Sequence, residues 1–141
     1  MLKQLKDTTS RLARRLFGDE GQEGIATSVH EDADFTLQFG QLEVGSLHVR
    51  SGVWEFRYST EFQAQLTKTD GVQPLVDFPD ASKAYRSKEL WPFFMARIPS
   101  ISQPRVQEEI ERQGLDQTSP VQLLRAFGER SIANPFLLIP A

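Results

Sequence analysis

The sequence predicts an α+β domain in which a small antiparallel sheet packs against about three short helices, preceded by an N-terminal amphipathic helix. Apolar and polar residues alternate with a period of two from residue 35 to residue 58, and the second half of the chain holds short apolar segments that begin at prolines. Alternation is typical of half-buried strands, and proline is favoured in the first turn of a helix. At 141 residues and 39% hydrophobic composition, the chain suits one domain with a single core.

Residues 1–17 predict a basic amphipathic helix. Five residues are basic and one is acidic, and an apolar seam recurs at steps of three and four, at Leu2, Leu5, Thr9, Leu12 and Leu16. Two interpretations follow from this pattern. The helix either docks on a partner or a membrane surface, or it packs on its own domain.

Residues 18–34 predict an acidic flexible linker, because they hold three glycines, six acidic residues and no lysine or arginine. His30 begins the sequence HEDAD, whose imidazole and three carboxylates are potential metal ligands. Nothing in a glycine-rich linker fixes their geometry, so solvated charge is the favoured interpretation.

Residues 35–141 form the predicted globular domain. Its opening segments FTLQF, LEVGSLHVR and VWEFRYS are separated by Gly40-Gln41 and Ser51-Gly52, which predicts a meander of three strands with tight turns. Trp54, Phe56 and Tyr58 share one face of the third strand and are predicted core residues. The following TEFQAQL indicates a short helical turn.

The second half predicts three short helices. Pro92 begins the first, with Phe93 and Phe94 facing the core, and Pro99 ends it. The second runs from Pro104 to Gly114. The third is capped by Ser119, with Gln122 placed to close a capping box, and it continues to Gly128. The final NPFLLIP predicts a short strand or an extended tail.

The composition excludes several classes of function. The chain has no cysteine, which excludes disulfides and thiolate chemistry, and no apolar run long enough to span a membrane. Residues 35–141 hold 11 basic and 12 acidic residues, which disfavours direct nucleic-acid binding. No phosphate-binding glycine motif is present, and we expect no metal or cofactor. Glu55, Asp77 and Asp80 form only a chance set of carboxylates. We expect a cytoplasmic protein.

Three stretches, in this order, resemble the N-terminal subdomain of HipA-type toxin kinases. They are residues 40–62 (GQLEVGSLHVRSGVWEFRYSTEF), the pair PLVDFPD and ELWPFFMARIPS, and VQLLRAFGERSIANPFLL. The resemblance implies a Pro-Leu-containing strand before the paired phenylalanines. Ser100 replaces the usual acidic residue after the proline, and residues 132–135 replace a small strand that contains glycine. These departures put local contacts with a fused kinase in doubt.

The chain ends at Ala141 with no segment for a nucleotide loop or a catalytic aspartate, so the resemblance implies a stand-alone, non-catalytic form. Such forms are encoded in tripartite toxin-antitoxin operons. The implied function is an antitoxin that binds and inhibits a HipA-type kinase toxin lacking this subdomain, with a HipB-like DNA-binding protein as an expected member of the complex. The alternative is an interaction or scaffold protein that binds a transcriptional repressor through residues 1–17. A small enzyme that uses carboxylates is a weaker third interpretation.

Trp91 is the predicted partner anchor. Because it precedes Pro92, it is expected in an extended conformation outside the helix, where its ring can project towards a partner. The competing interpretation is that Trp91 closes the edge of its own core, since tryptophans are mostly buried. The predicted contact residues are Trp91, Glu89, Leu90, Pro92 and Ser100.

Overall fold

The computed structural model describes residues 27–68 and 72–141. The predicted helix of residues 1–17 and the first part of the acidic linker lie outside the described residues. The elements are β1 (Ala33–Phe39), β2 (Leu42–Arg50), β3 (Val53–Tyr58), α1 (Thr60–Gln65), β4 (Ala84–Ser87), α2 (Pro92–Met95), α3 (Pro104–Gln113), α4 (Pro120–Phe127) and β5 (Leu137–Pro140). The α+β class and the helical turn after the third strand are confirmed.

Within the described residues, the sheet has five antiparallel strands in the order β4-β3-β2-β1-β5. The predicted meander is its centre. Ser51 and Gly52 join β2 to β3 with φ values of 52° and 78°, so both central residues adopt the left-handed conformation that a two-residue type I′ hairpin requires. This turn fixes the register, which places Val49 opposite Trp54 and Leu47 opposite Phe56.

One face of the sheet forms the core together with α1, α2 and α4. Trp54, Phe56 and Tyr58 are buried, as the alternation predicts. Their neighbours across the sheet, Phe35, Leu37, Leu47, Val49 and Leu138, are buried with them. Phe94 of α2 and Phe78 close the core, with their rings 5.7 Å and 4.6 Å from that of Phe56. Aromatic packing on this face therefore holds α1 and α2, whereas α4 contributes the aliphatic Val121 and Leu124 and α3 packs against Leu123 in a second apolar cluster.

Two strands lie outside the predicted meander. The C-terminal segment is strand β5, which pairs with β1. Among the described residues, no strand pairs with the outer side of β5: the Leu138 N–H points away from β1 and donates to the Glu129 carbonyl at 2.9 Å. The strand that the resemblance implied at Pro74–Asp80 is a loop containing a turn. The segment that pairs with β3 is instead β4, which begins ten residues later along the chain.

The helix ends follow the predicted signals with one correction. α3 starts at Pro104, and Gly114 follows it with a φ of 66°. The Ser119 hydroxyl accepts the Gln122 N–H at 3.1 Å and caps α4. The Gln122 side chain does not close a capping box. It donates to Glu31 and accepts the Asp116 N–H, each at 2.8 Å, and the Ser119 N–H that a capping box would use donates to the Asp116 carbonyl instead. No helix in the described ranges is long and apolar enough to cross a bilayer.

The domain begins earlier than the predicted boundary at residue 35. Strand β1 starts at Ala33, and Thr27 is buried, where its hydroxyl accepts the indole N–H of Trp54 at 2.6 Å. Glu31 accepts hydrogen bonds from the Ser119 hydroxyl at 2.6 Å and from Gln122. Residues 27–34 thus contact the domain through specific hydrogen bonds, although their composition predicts a linker.

Candidate functional site

The segment from Glu89 to Ser100 connects β4 to α3 and contains every predicted contact residue. Trp91 precedes α2 with φ −65° and ψ 151°, the extended conformation that a following proline enforces. Its carbonyl accepts the N–H groups of Phe94 and Met95, both at 2.9 Å. The helix is a single turn, so the position of the Trp91 backbone is set by the same hydrogen bonds that form α2.

The Trp91 side chain is half-buried. Its ring meets Phe78 edge-to-face, with centroids 5.1 Å apart at 84°, and it lies 6.4 Å from the ring of Phe94. The position of the ring is therefore compatible with both interpretations of Trp91, as a residue at the edge of the core and as a partner contact. Trp91 closes the edge of its own core and still leaves aromatic area for a partner, on a support that is already rigid.

The other predicted contact residues are placed differently. Glu89 and Pro92 are exposed on either side of Trp91. Leu90 is only 7% exposed and belongs to the core, so it offers little area to a partner. Ser100 is exposed at the far end of the segment, where its hydroxyl lies 2.9 Å from that of Ser102. The structure thus brings Glu89, Trp91 and Pro92 together at the surface.

An aromatic row extends this surface on the other side of α2. Phe94 is fully buried as predicted, but Phe93 is only half-buried, because adjacent helical residues point about 100° apart and cannot both face the core. The Phe93 ring lies 6.0 Å from that of Phe136, which lies 5.6 Å from that of Phe39. Phe39 is 44% exposed. Sequence reasoning missed this row because its members are far apart along the chain.

Arg97 fixes α2 to the segment 128–136. The side chain is 4% exposed, and its guanidinium donates to the carbonyls of Gly128 (2.6 Å), Glu129 (2.8 Å) and Phe136 (2.5 Å) and to the side-chain oxygen of Asn134 (3.3 Å). All four acceptors are neutral. Burial lowers the pKa of Arg97, although an arginine in a protein stays protonated. An arginine that directly follows the apolar run FFMA is the sequence signal for this contact.

The opposite face of the sheet carries an ionic cluster centred on Glu55. Its carboxylate accepts Arg57 at 2.8 Å and Arg86 at 3.1 Å and lies 3.7 Å from the imidazole of His48. The hydrogen bond from Arg57 and the charges of Arg86 and His48 lower the pKa of Glu55 against the opposing effect of burial. Glu55 is therefore a structural ion-pair partner and not a free acid or base.

Asp80 and Asp77 take no part in the Glu55 cluster. The Asp80 side chain accepts the N–H and the hydroxyl of Ser82, which lowers its pKa. Asp77 lies in a turn. Within residues 27–68 and 72–141, no three carboxylate or histidine side chains are arranged to hold a metal ion.

The comparisons with known proteins point to one family. A family model described as HipA N-terminal domain matches residues 36–133, more than two thirds of the chain, from within β1 to beyond the end of α4. A search of curated proteins gives no match. The matched range contains Trp91 and α2, and it ends before β5.

Proposed function

The chain belongs to the HipA N-terminal domain family, and we propose that it is a non-catalytic antitoxin that binds and inhibits a separately encoded HipA-type serine/threonine kinase toxin lacking this subdomain. In this role it is similar to the HipS subunit of tripartite toxin-antitoxin systems, and it acts in the cytoplasm. A HipB-like DNA-binding protein is a proposed third member of the complex.

The observation that carries the proposal is the half-buried Trp91. Its backbone is held by Pro92 and by the hydrogen bonds of α2, and its ring is held edge-to-face by Phe78. A ring that is ordered before binding loses little conformational entropy in the complex, and tryptophan is among the residues that dominate interface energies. These features favour Trp91 as a contact between the domain and the kinase.

The test is the Trp91→Ala variant, titrated against the kinase. We expect binding to weaken by about 2 to 4 kcal/mol, or roughly 30- to 1000-fold. Trp91→Phe should recover part of the affinity because it keeps the contact with Phe78. Val29→Ala, which changes an exposed apolar residue before β1, is the control and should bind as the unmodified protein does.

Stability measured on the same variants separates an anchor from a core residue. Because the ring is half-buried, Trp91→Ala should lose clearly less folding free energy than the roughly 3 to 5 kcal/mol of a fully buried aromatic residue. A folded Trp91→Ala protein that binds the kinase with unchanged affinity would refute the anchor role.

Two further experiments address the inhibition itself. Co-expression of the protein with the kinase should relieve growth arrest and give a stable complex, while the purified protein alone should show no ATP turnover. Unchanged toxicity with both proteins soluble and separate would contradict the antitoxin role. The scaffold alternative predicts instead that residues 1–17 are sufficient for binding to a repressor, which a peptide of that segment would test.

A further inference from the structure

The turn Leu75–Phe78 presents an apolar side chain to solvent without a local reason. The Phe78 N–H donates to the Leu75 carbonyl at 2.9 Å, which places Val76 and Asp77 at the two central positions. Val76 is 93% exposed, whereas Leu75 and Phe78 on either side are buried. A β-branched apolar residue is not favoured at the tip of a turn, where proline and small polar residues predominate.

Two tyrosines hold this turn and the residues after it. The buried Tyr58 hydroxyl accepts the Leu75 N–H at 2.8 Å and donates to the Phe78 carbonyl at 2.7 Å, so one phenol fixes both ends. The Tyr85 hydroxyl accepts the Asp80 N–H at 2.7 Å. The position of Val76 is therefore set before any partner binds, which reduces the entropy that an interface must order.

The turn shares its support with Trp91. The ring of Phe78, which ends the turn, is the same ring that meets Trp91 edge-to-face. Asp77 adds a negative charge beside Val76, and its carboxylate forms no ion pair with the residues that the structure describes. Val76, Asp77 and Trp91 thus extend from one rigid aromatic unit.

We infer that the turn Leu75–Phe78 is a second contact element for the partner of Trp91, with Val76 filling an apolar notch and Asp77 pairing with a lysine or arginine at its rim. The inference rests on the proposed function, because the partner is the kinase. It adds the chemistry of the surface that the kinase must supply: an apolar depression bordered by a cation, next to the pocket that receives the indole.

The experiment compares Val76→Thr and Val76→Asp with Ile132→Thr in titrations against the kinase. Val76→Thr keeps the shape of the side chain, and Ile132 is a matched control because it is also an apolar, fully exposed residue outside the helices and strands. We expect Val76→Thr to weaken binding roughly tenfold and Val76→Asp more strongly, since an apolar side chain loses a buried contact. Asp77→Lys should also weaken binding, and Ile132→Thr should change it less than about twofold.

The outcomes distinguish this inference from the function on which it rests. If Trp91→Ala weakens binding and Val76→Asp binds like the unmodified protein, the second contact is refuted and the antitoxin role stands. If the unmodified protein does not bind the kinase, both are refuted. Circular dichroism of each variant confirms that it is folded, as expected for changes at exposed positions.

Discussion

The turn Leu75–Phe78 and the segment 128–136 are both held by one buried side chain that hydrogen-bonds to main-chain groups, but the two side chains differ in charge. Tyr58 is neutral and makes one donated and one accepted hydrogen bond to its turn. Arg97 is a cation and donates to four neutral oxygens. The difference shows how much support each kind of group needs inside a core.

A buried hydroxyl is satisfied by one or two partners, whereas a buried cation must recover a much larger solvation energy. Arg97 recovers part of it from carbonyls at and beyond the end of α4, where the helix dipole is negative. The segment 128–136 therefore surrounds the Arg97 guanidinium with acceptors, while the turn at Val76 hydrogen-bonds to Tyr58 at its two ends. We expect the Arg97 hydrogen bonds to contribute more to the free energy of unfolding than the Tyr58 hydrogen bonds. We expect the contribution of Tyr58, in turn, to depend on pH.

The largest expected effect is that of Arg97→Ala. The change removes the Arg97 donor from the carbonyls of Gly128 and Phe136 and leaves the Glu129 carbonyl with the Leu138 N–H alone, and we expect a loss of about 3 kcal/mol of unfolding free energy. Urea denaturation measures it. The control is Arg125→Ala, which removes an exposed arginine from α4 and should change stability by less than about 0.5 kcal/mol. Equal stability of the two variants would contradict a structural role for the Arg97 contacts.

The second prediction concerns alkaline pH. Burial is the main cause that raises the pKa of Tyr58 to about 12 from its ordinary 10. The folded state therefore favours the neutral phenol: this stabilisation is complete below pH 10 and is lost as pH rises through 12. With Tyr58 only 3% exposed, we expect a loss of roughly 2 to 3 kcal/mol across that window.

The Tyr58→Phe variant provides the reference for this titration. It should start less stable, because the Leu75 N–H loses its acceptor, and it should lack the additional loss between pH 10 and 12. The chain has two tyrosines, so tyrosinate absorbance of the two proteins isolates the titration of Tyr58. An identical pH dependence of stability in both proteins would show that the phenol does not titrate with unfolding.

The smallest expected effect concerns residues 27–34, which are also held to the domain by side-chain hydrogen bonds. A protein that begins at residue 27 should unfold cooperatively, since it keeps the Thr27 contact with Trp54 and the Glu31 contact with Ser119. A protein that begins at residue 33 loses both, and we expect it to be about 1 to 2 kcal/mol less stable. Equal stability of the two proteins would show that residues 27–32 do not stabilise the domain, as expected for the linker that the composition predicts.

The sequence predicted those parts of the fold whose signals are local. The meander is specified by alternation and by Ser51-Gly52, and α4 by Ser119 and Pro120. β4 was not predicted, because Ala84–Ser87 is short and polar and becomes a strand only by pairing with β3. The hydrogen bonds of Tyr58 and Arg97 join residues that are 17 to 39 positions apart, and no local sequence pattern predicts such contacts.

In the candidate site, too, the local backbone conformation could be predicted from the sequence and the long-range contacts could not. The extended backbone of Trp91 follows from Pro92 alone, and the structure confirms it. The half-buried state of the indole depends on Phe78, and the half-buried state of Phe93 depends on which residue of α2 faces the core. Both required the tertiary structure. The partner-contact role of Trp91, Glu89, Leu90, Pro92 and Ser100 stays a prediction.

The contact between Leu138 and Glu129 has a consequence for how copies of this protein behave at high concentration. A strand at the edge of a sheet offers unpaired N–H groups to other chains, which promotes strand-to-strand aggregation. In β5 the Leu138 N–H is occupied by the Glu129 carbonyl, and the next residue with the same orientation is Pro140, which has no N–H. Between Leu138 and Pro140, this edge therefore offers no free N–H to another strand. The segment that Arg97 holds in place thereby also covers the β5 edge of the sheet against pairing with another chain.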